Sequence, residues 1–261
     1  MKNAAAHAKK LQTILNKHKV ANPPEEMTDP LEQLVYSFLL WETTRKQADT
    51  AYGKLKKAFL DHNELRVSDP AEIVEAIGKR YSRAEERAVR LRDAMHSIYL
   101  NEHEVTLKPL QDKPKRQARQ YLAALEGINP FVVGRVVLLT LGGHAMPVDE
   151  ALARRLVRDE AADPDASLEE VQAYLEKQVR SSAAAATHAT LLAYVEATPA
   201  PPRAPARAAP APATTNKTAG KSADAKQAKS TAKSTKTSKT SKASKTTKTT
   251  KTTKSTRKSK G

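Results

Sequence analysis

After Thr198 the chain stops supplying material for a core: from Pro199 to Gly261 there is no aromatic residue and no Leu, Ile or Val. Such a segment cannot bury enough apolar surface to offset the entropy of ordering it, which confines any folded domain to residues 1–198 and predicts a disordered tail. Residues 199–216 read as a Pro/Ala-rich linker and residues 217–261 as a Lys/Ser/Thr-rich segment. In the latter, Lys233, Lys236, Lys239, Lys242, Lys245, Lys248, Lys251 and Lys254 recur at every third position. A period of three builds no apolar helix face, so the content of this repeat is charge density on a flexible chain.

The charge divides at the same boundary. Residues 1–198 carry 28 basic and 28 acidic side chains, whereas residues 199–261 carry 17 basic ones and a single acid, Asp224. The formal net charge of +16 therefore belongs to the tail, and its expected partner is duplex DNA, bound without sequence preference through lysine–phosphate contacts. The sequence contains no cysteine, which excludes disulfides, thiolate catalysis and thiolate-ligated zinc or iron–sulfur clusters. The first twenty residues hold no uninterrupted apolar run and no window approaches a membrane span, so a soluble intracellular monomer without membrane association is expected.

Residues 1–196 repeat their apolar positions with the helical period. Leu31, Leu34, Val35, Phe38 and Leu39 form one stripe, introduced by Asp29 as cap, Pro30 in the first turn and Glu32 as the return arm of a capping box. Asp69 with Glu72, Ser82 with Glu85, and Ser167 with Glu170 are further start signals. The spacing predicts helices over 5–20, 30–43, 47–60, 70–78, 83–101, 114–126, 130–141, 149–158, 167–180 and 182–196, an all-α protein.

One stretch, LEGINPFVVGRVVLLTLGGHAMPVDEALARRL (Leu125 to Leu156), reads as helix, tight turn, helix, then a Gly-Gly break before Val148-Asp149. Gly127 gives the turn conformational freedom, Asn129 tolerates a left-handed backbone and can also cap, and Pro130 suits a first helical position. Amides at such a turn can hold a phosphate; the same chemistry also makes an ordinary helix connection. Asp149 sits where a carboxylate caps a helix, where it could equally serve catalysis.

This stretch resembles the helix–hairpin–helix and catalytic-aspartate region of the endonuclease III family of DNA glycosylases, approximately L-P-G-V-G-x-K-T-A, an apolar helix, Gly and V-D-x-x-V-x-R. Leu125, Gly127 and Ile128 fall on the hairpin, Val136 to Leu138 on its second helix, Gly142 on the family glycine, Val148-Asp149 on the V-D pair, and Leu152 and Arg154 on the helix that follows. FLLWETTRK (Phe38 to Lys46) and IGKRYSRAEERA (Ile77 to Ala88) are similar to two further family segments, and the resemblance runs over about residues 6–196.

The resemblance implies a two-lobed helical glycosylase fold, with 29–147 as the central lobe and 1–28 with 148–198 as the second. It implies Asp149 as the catalytic residue, a base pocket near Trp41 and Phe131, and DNA contacts from Gly127, Asn129, Glu42, Lys79 and Tyr81; the missing cysteines, where many family members carry four for an iron–sulfur cluster, leave no cofactor and no metal expected. Arg116, Arg119 and Arg135 are further candidates for phosphates; His144 and His188 form no metal-ligand pattern.

The departures carry their own expectations. Phe131 occupies the place of the family's Schiff-base lysine and cannot do that chemistry, which points to monofunctional base excision by water. Glu42 stands where the family has a wedge glutamine, and Glu126 puts a negative charge on the hairpin. The alternative reading is a glycosylase-fold protein of nucleoid or chromatin that binds DNA and has lost the chemistry.

Overall fold

The computed structural model describes residues 3–21 and 27–199; the linker and tail assignments, with Lys233 to Lys248 among them, lie outside the described residues. Among the described residues the chain is all-helical, with eleven α-helices and two 3-10 turns. None of these helices is long and apolar enough to cross a membrane.

Two helices are buried nearly all round and make the centre. In α2 (Pro30–Leu40) every residue except Glu32 is buried, and in α8 (Pro130–Leu139) residues 131–138 are. A helix that is apolar on all faces must be surrounded, and α2 packs on α8, on α3 (Arg45–Ala58) and on α6 (Ala84–Glu102). Around them stand α4 (His62–Val67) against α6, α5 (Pro70–Ile77) against α3 and α6, and α7 (Lys115–Ala123) against α8. A second group joins the first and last parts of this region: α1 (Ala4–Lys17) packs on α11 (Ala184–Ala197), which also meets α8 and α9 (Glu150–Arg158), while α10 (Leu168–Gln178) packs on α9.

The end of α11 is held by arginines. Arg155 donates from Nε and Nη2 to the Thr198 carbonyl at 3.2 and 3.1 Å, and Tyr194 anchors the same corner through Asp159 at 2.7 Å.

Several starts follow the sequence signals. Asp29 accepts from the amide of Leu31 at 2.8 Å, and Asp69–Glu72 and Ser167–Glu170 close reciprocal capping boxes. Others are corrected. Glu32 does not return to Asp29; its carboxylate instead lies 3.6 Å from His62 and 4.0 Å from Lys56. Ser82 does not cap α6, whose N-cap is Arg83 in the left-handed region at φ 52°. Helix α4 was not predicted, because its six residues bury only Leu65 and so carry no period.

Candidate active site

Asp149 answers the question its position raises by serving two elements at once. Its backbone is extended, and Oδ1 accepts from the Leu152 amide at 2.8 Å as the N-cap of α9. Its Oδ2 accepts from the amide of Glu42 at 2.9 Å, 107 residues away at the end of α2. The carboxylate thus ties the two helix groups together, and the residue is only 8% exposed. Burial pushes its pKa up; the two amides and the guanidinium groups of Arg155 and Arg154 pull it back.

Glu42 presents that amide because its backbone is left-handed, at φ 53°, a conformation costing a non-glycine residue about 1–2 kcal/mol. Its side chain turns toward Arg83, with Nε–Oε2 at 3.4 Å, and its Oε1 is buried without a hydrogen-bond partner. Burial raises the Glu42 pKa, Arg83 lowers it, and the neighbouring Asp149 and Glu150 carboxylates raise it again. Arg83 and Glu42 are both left-handed and face each other, which concentrates backbone strain at one spot.

Trp41, the residue before Glu42, is 7% exposed and lies beneath three guanidinium groups: Arg83 at 4.6 Å and Arg87 and Arg90 at 5.6 Å each from the ring centre. Arg87 is wholly buried, donates to the carbonyls of Trp41 at 2.7 Å and Ser82 at 3.0 Å, and has its pKa lowered to about 10 by burial. Tyr81 donates to the Leu39 carbonyl at 2.8 Å and lies 5.0 Å from Arg87, so its hydroxyl is held inward, while Lys79 is exposed on the same loop. These arginines were missed in the sequence, although 87 and 90 fall at i and i+3 on one face of α6, just after Arg83 at its N-cap. Beside them opens a cavity of about 270 Å³, lined in part by Glu42, Thr44, Gln47, Ser82, Arg154 and Arg155.

The hairpin meets the same helix. Gly127 takes φ 73°, and a Cβ there would stand 2.6 Å from the Arg90 carbonyl oxygen, so the turn requires glycine both for its dihedral and for its closeness to α6. Asn129 is extended, not left-handed, and caps α8 by accepting from the Val132 amide at 2.9 Å. Glu126 is exposed. Phe131 is 3% exposed and faces the interior, with its ring centre 6.4 Å from His188. Arg135 is fully buried, donating to Ser37 Oγ at 3.1 Å and lying 2.6 Å from His188 Nε2, which corrects its reading as a phosphate contact. Burial and the adjacent guanidinium hold the His188 pKa well below the usual imidazole value. Arg119 pairs with Glu176 at 3.4 Å, Arg116 is exposed, and His144 Nε2 is 2.8 Å from the Glu176 carbonyl. The structure therefore gathers Trp41, Glu42, Tyr81 and Asp149 around one point, with Gly127 joined to it through Arg90, and turns Phe131 toward His188.

The helical part matches an endonuclease III trapped as a covalent intermediate with DNA, with a TM-score of 0.57 and 17% identity over 74% of this chain and 85% of that one. It matches a thermostable thymine-DNA glycosylase at 0.53 and 18% identity, over 74% and 86%. The chain has the endonuclease III-like glycosylase fold.

Within the endonuclease III-like fold, sequence similarity reaches two proteins of Arabidopsis thaliana. A stretch of 123 residues is 30% identical to the transcriptional activator DEMETER, over 45% of this chain and 6% of that protein. A stretch of the same length is 28% identical to the DNA glycosylase/AP lyase ROS1, over 45% and 9%. The chain thus spans less than a tenth of the length of these curated relatives. No family model matches the chain. Without a cysteine in the sequence, this endonuclease III-like chain has no thiolate set with which to hold an iron–sulfur cluster.

Proposed function

We propose that this protein is a DNA-binding base-excision-repair glycosylase that releases a damaged base with water and without Schiff-base lyase chemistry. The observation that carries the reading is Asp149: a buried carboxylate fixed by two backbone amides at a helix start, beside a strained glutamate–arginine pair and a cavity. Two amides occupy two of the roughly four lone-pair positions of a carboxylate, so acceptor capacity remains for a substrate or a water.

In the proposed step the C1′–N bond of an extruded nucleotide breaks and its electron pair leaves with the base. The Asp149 carboxylate stabilises the positive charge that grows on the sugar and orients a water toward C1′. The water oxygen bonds to C1′ and gives up a proton to the carboxylate, whose raised pKa favours taking it. Phe131 offers no amine for a covalent intermediate.

DNA contacts are proposed for the hairpin at Gly127 and Asn129, for Lys79 and Tyr81, and for the lysine repeat. The helical part carries balanced charge, so most non-specific affinity is assigned to the tail. The proposal includes a monomer working in the nucleoid or nucleus, with lobes at 29–147 and at 1–28 with 148–198.

The test is base release from a panel of damaged duplexes by the native chain and by Asp149→Asn. Release by the first, reduced at least about a thousandfold in the second, is the expected result. Because Asn would turn a donor toward the Glu42 amide, both proteins are melted first, and Asp149→Glu serves as a second variant that keeps the carboxylate but moves it. The second reading, a protein that binds DNA without chemistry, draws on the near-complete burial of Asp149, and it takes over if the panel yields no free base.

A further inference from the structure

The start of α8 has a second face that the Asp149 site does not use. Phe131 and Arg135 contact α11 and α2, whereas Pro130 and Val133 line an open cavity of about 370 Å³ between α7, α8 and α10. That volume lies at the lower end of the ~300–1,000 Å³ usual for small-ligand sites. The rest of its apolar wall is Ala123, Ile128 and Ala173.

Two polar groups in the wall have capacity to spare. Asn129 is 7% exposed, and with Oδ1 committed to the Val132 amide its Nδ2 is buried with no hydrogen-bond partner. A buried amide donor left unpaired is costly and uncommon, and calls for an acceptor. The guanidinium of Arg119, the amide of Gln172 and the backbone N–H of Met146 all donate to Oε1 of Glu176 on α10, at 3.4, 2.9 and 3.3 Å, and none of them donates to Oε2. The cavity therefore combines apolar walls with one amide donor and one carboxylate acceptor. Glu169 and Glu176 make it unsuitable for an anion, since Arg119, the cationic side chain among its lining residues, is already paired.

We propose that this cavity is a base subsite: it takes a neutral nucleobase, whose ring acceptor receives the Asn129 Nδ2 hydrogen bond and whose neighbouring N–H or amine donates to the Glu176 carboxylate. The complement fits a planar heterocycle with an acceptor beside a donor, which every nucleobase presents on its Watson–Crick edge. The occupant would come from the strand that passes the hairpin, and in this respect the inference rests on the reading of Gly127 and Asn129 as facing DNA.

The experiment is an amide NMR titration of the full chain with each of the four free deoxynucleosides at millimolar concentration, following the Asn129 side-chain amide and the Ala173 backbone amide. At least one nucleoside should shift both signals saturably. Asn129→Asp keeps the cap but exchanges the donor for an acceptor, and should weaken that binding about tenfold or more. Ala173→Phe fills the cavity from α10 and should abolish the shifts while retaining the melting temperature and the affinity for duplex DNA. Absence of a saturable shift with all four nucleosides overturns the proposal, as does a shift that survives both substitutions. Nucleoside binding by a chain with no duplex affinity supports the subsite and overturns the DNA reading of the hairpin, so the two failures are distinct.

Discussion

The starts of α8 and α9 are built alike: Asn129 and Asp149 both sit on extended backbone, and each lends Oδ1 to the amide three residues on, Val132 at 2.9 Å and Leu152 at 2.8 Å. They part at the second side-chain atom. Asp149 gives Oδ2 to the Glu42 amide and so fastens α9 to the end of α2, while Asn129 leaves Nδ2 without a partner at the wall of a cavity. The first atom of a cap serves the helix in both cases; the second decides whether the residue joins distant segments or faces a ligand. At Asp149 the tie between segments and the proposed chemistry share one carboxylate, so a substitution there disturbs both, and stability has to be measured beside activity.

That contrast can be broken most forcefully at Asp149. Asp149→Ala removes the cap and orphans the Glu42 amide, and should destabilise the fold by about 3 kcal/mol in denaturant unfolding. A loss under about 1 kcal/mol would mean that the Glu42 contact ties nothing together. Next comes Gly127→Ala, which forces a Cβ toward the Arg90 carbonyl at a positive φ and should cost about 2–3 kcal/mol. A neutral result would show that the hairpin stands off α6. Asn129→Ala, losing one local cap bond, should cost only about 1 kcal/mol.

The smallest effect separates the two caps by pH. Burial raises the folded-state pKa of Asp149 above its unfolded value, so the ionised group carries a stability penalty at neutral pH that eases as pH falls through the folded pKa and is gone below about 3.9. The native chain should therefore gain on Asp149→Asn as pH falls through that window, whereas its margin over Asn129→Ala should stay flat. Parallel pH profiles for the two variants would remove the electrostatic distinction between the caps.

How much of this the sequence reveals depends on how locally each feature is encoded. Helix α2 is legible because Asp29, Pro30 and the stripe from Leu31 to Leu39 act within eleven residues. Asp149 as a cap is legible for the same reason, but its bond to Glu42 spans 107 residues and leaves no local trace. The Trp41–Arg83–Arg87–Arg90 stack depends on α6 lying over the end of α2, which spacing on α6 alone does not specify. Arg135 is legible as a core residue and not a phosphate contact: an arginine inside PFVVGRVVLL belongs to a helix buried on all sides, and its burial beside Ser37 and His188 follows from that run. Thr44 was absorbed into the predicted connection, although Thr44 with Gln47 closes a capping box for α3.

This endonuclease III-like chain is proposed to excise a base with water held by Asp149, with Phe131 in place of an amine nucleophile. The most direct measurement incubates the full chain with damaged duplexes in the presence of borohydride, then quantifies free base and the mass of the protein. The expected result is released base and unmodified protein. A covalent DNA adduct on a lysine of residues 1–198, or no base released from any duplex, would contradict it.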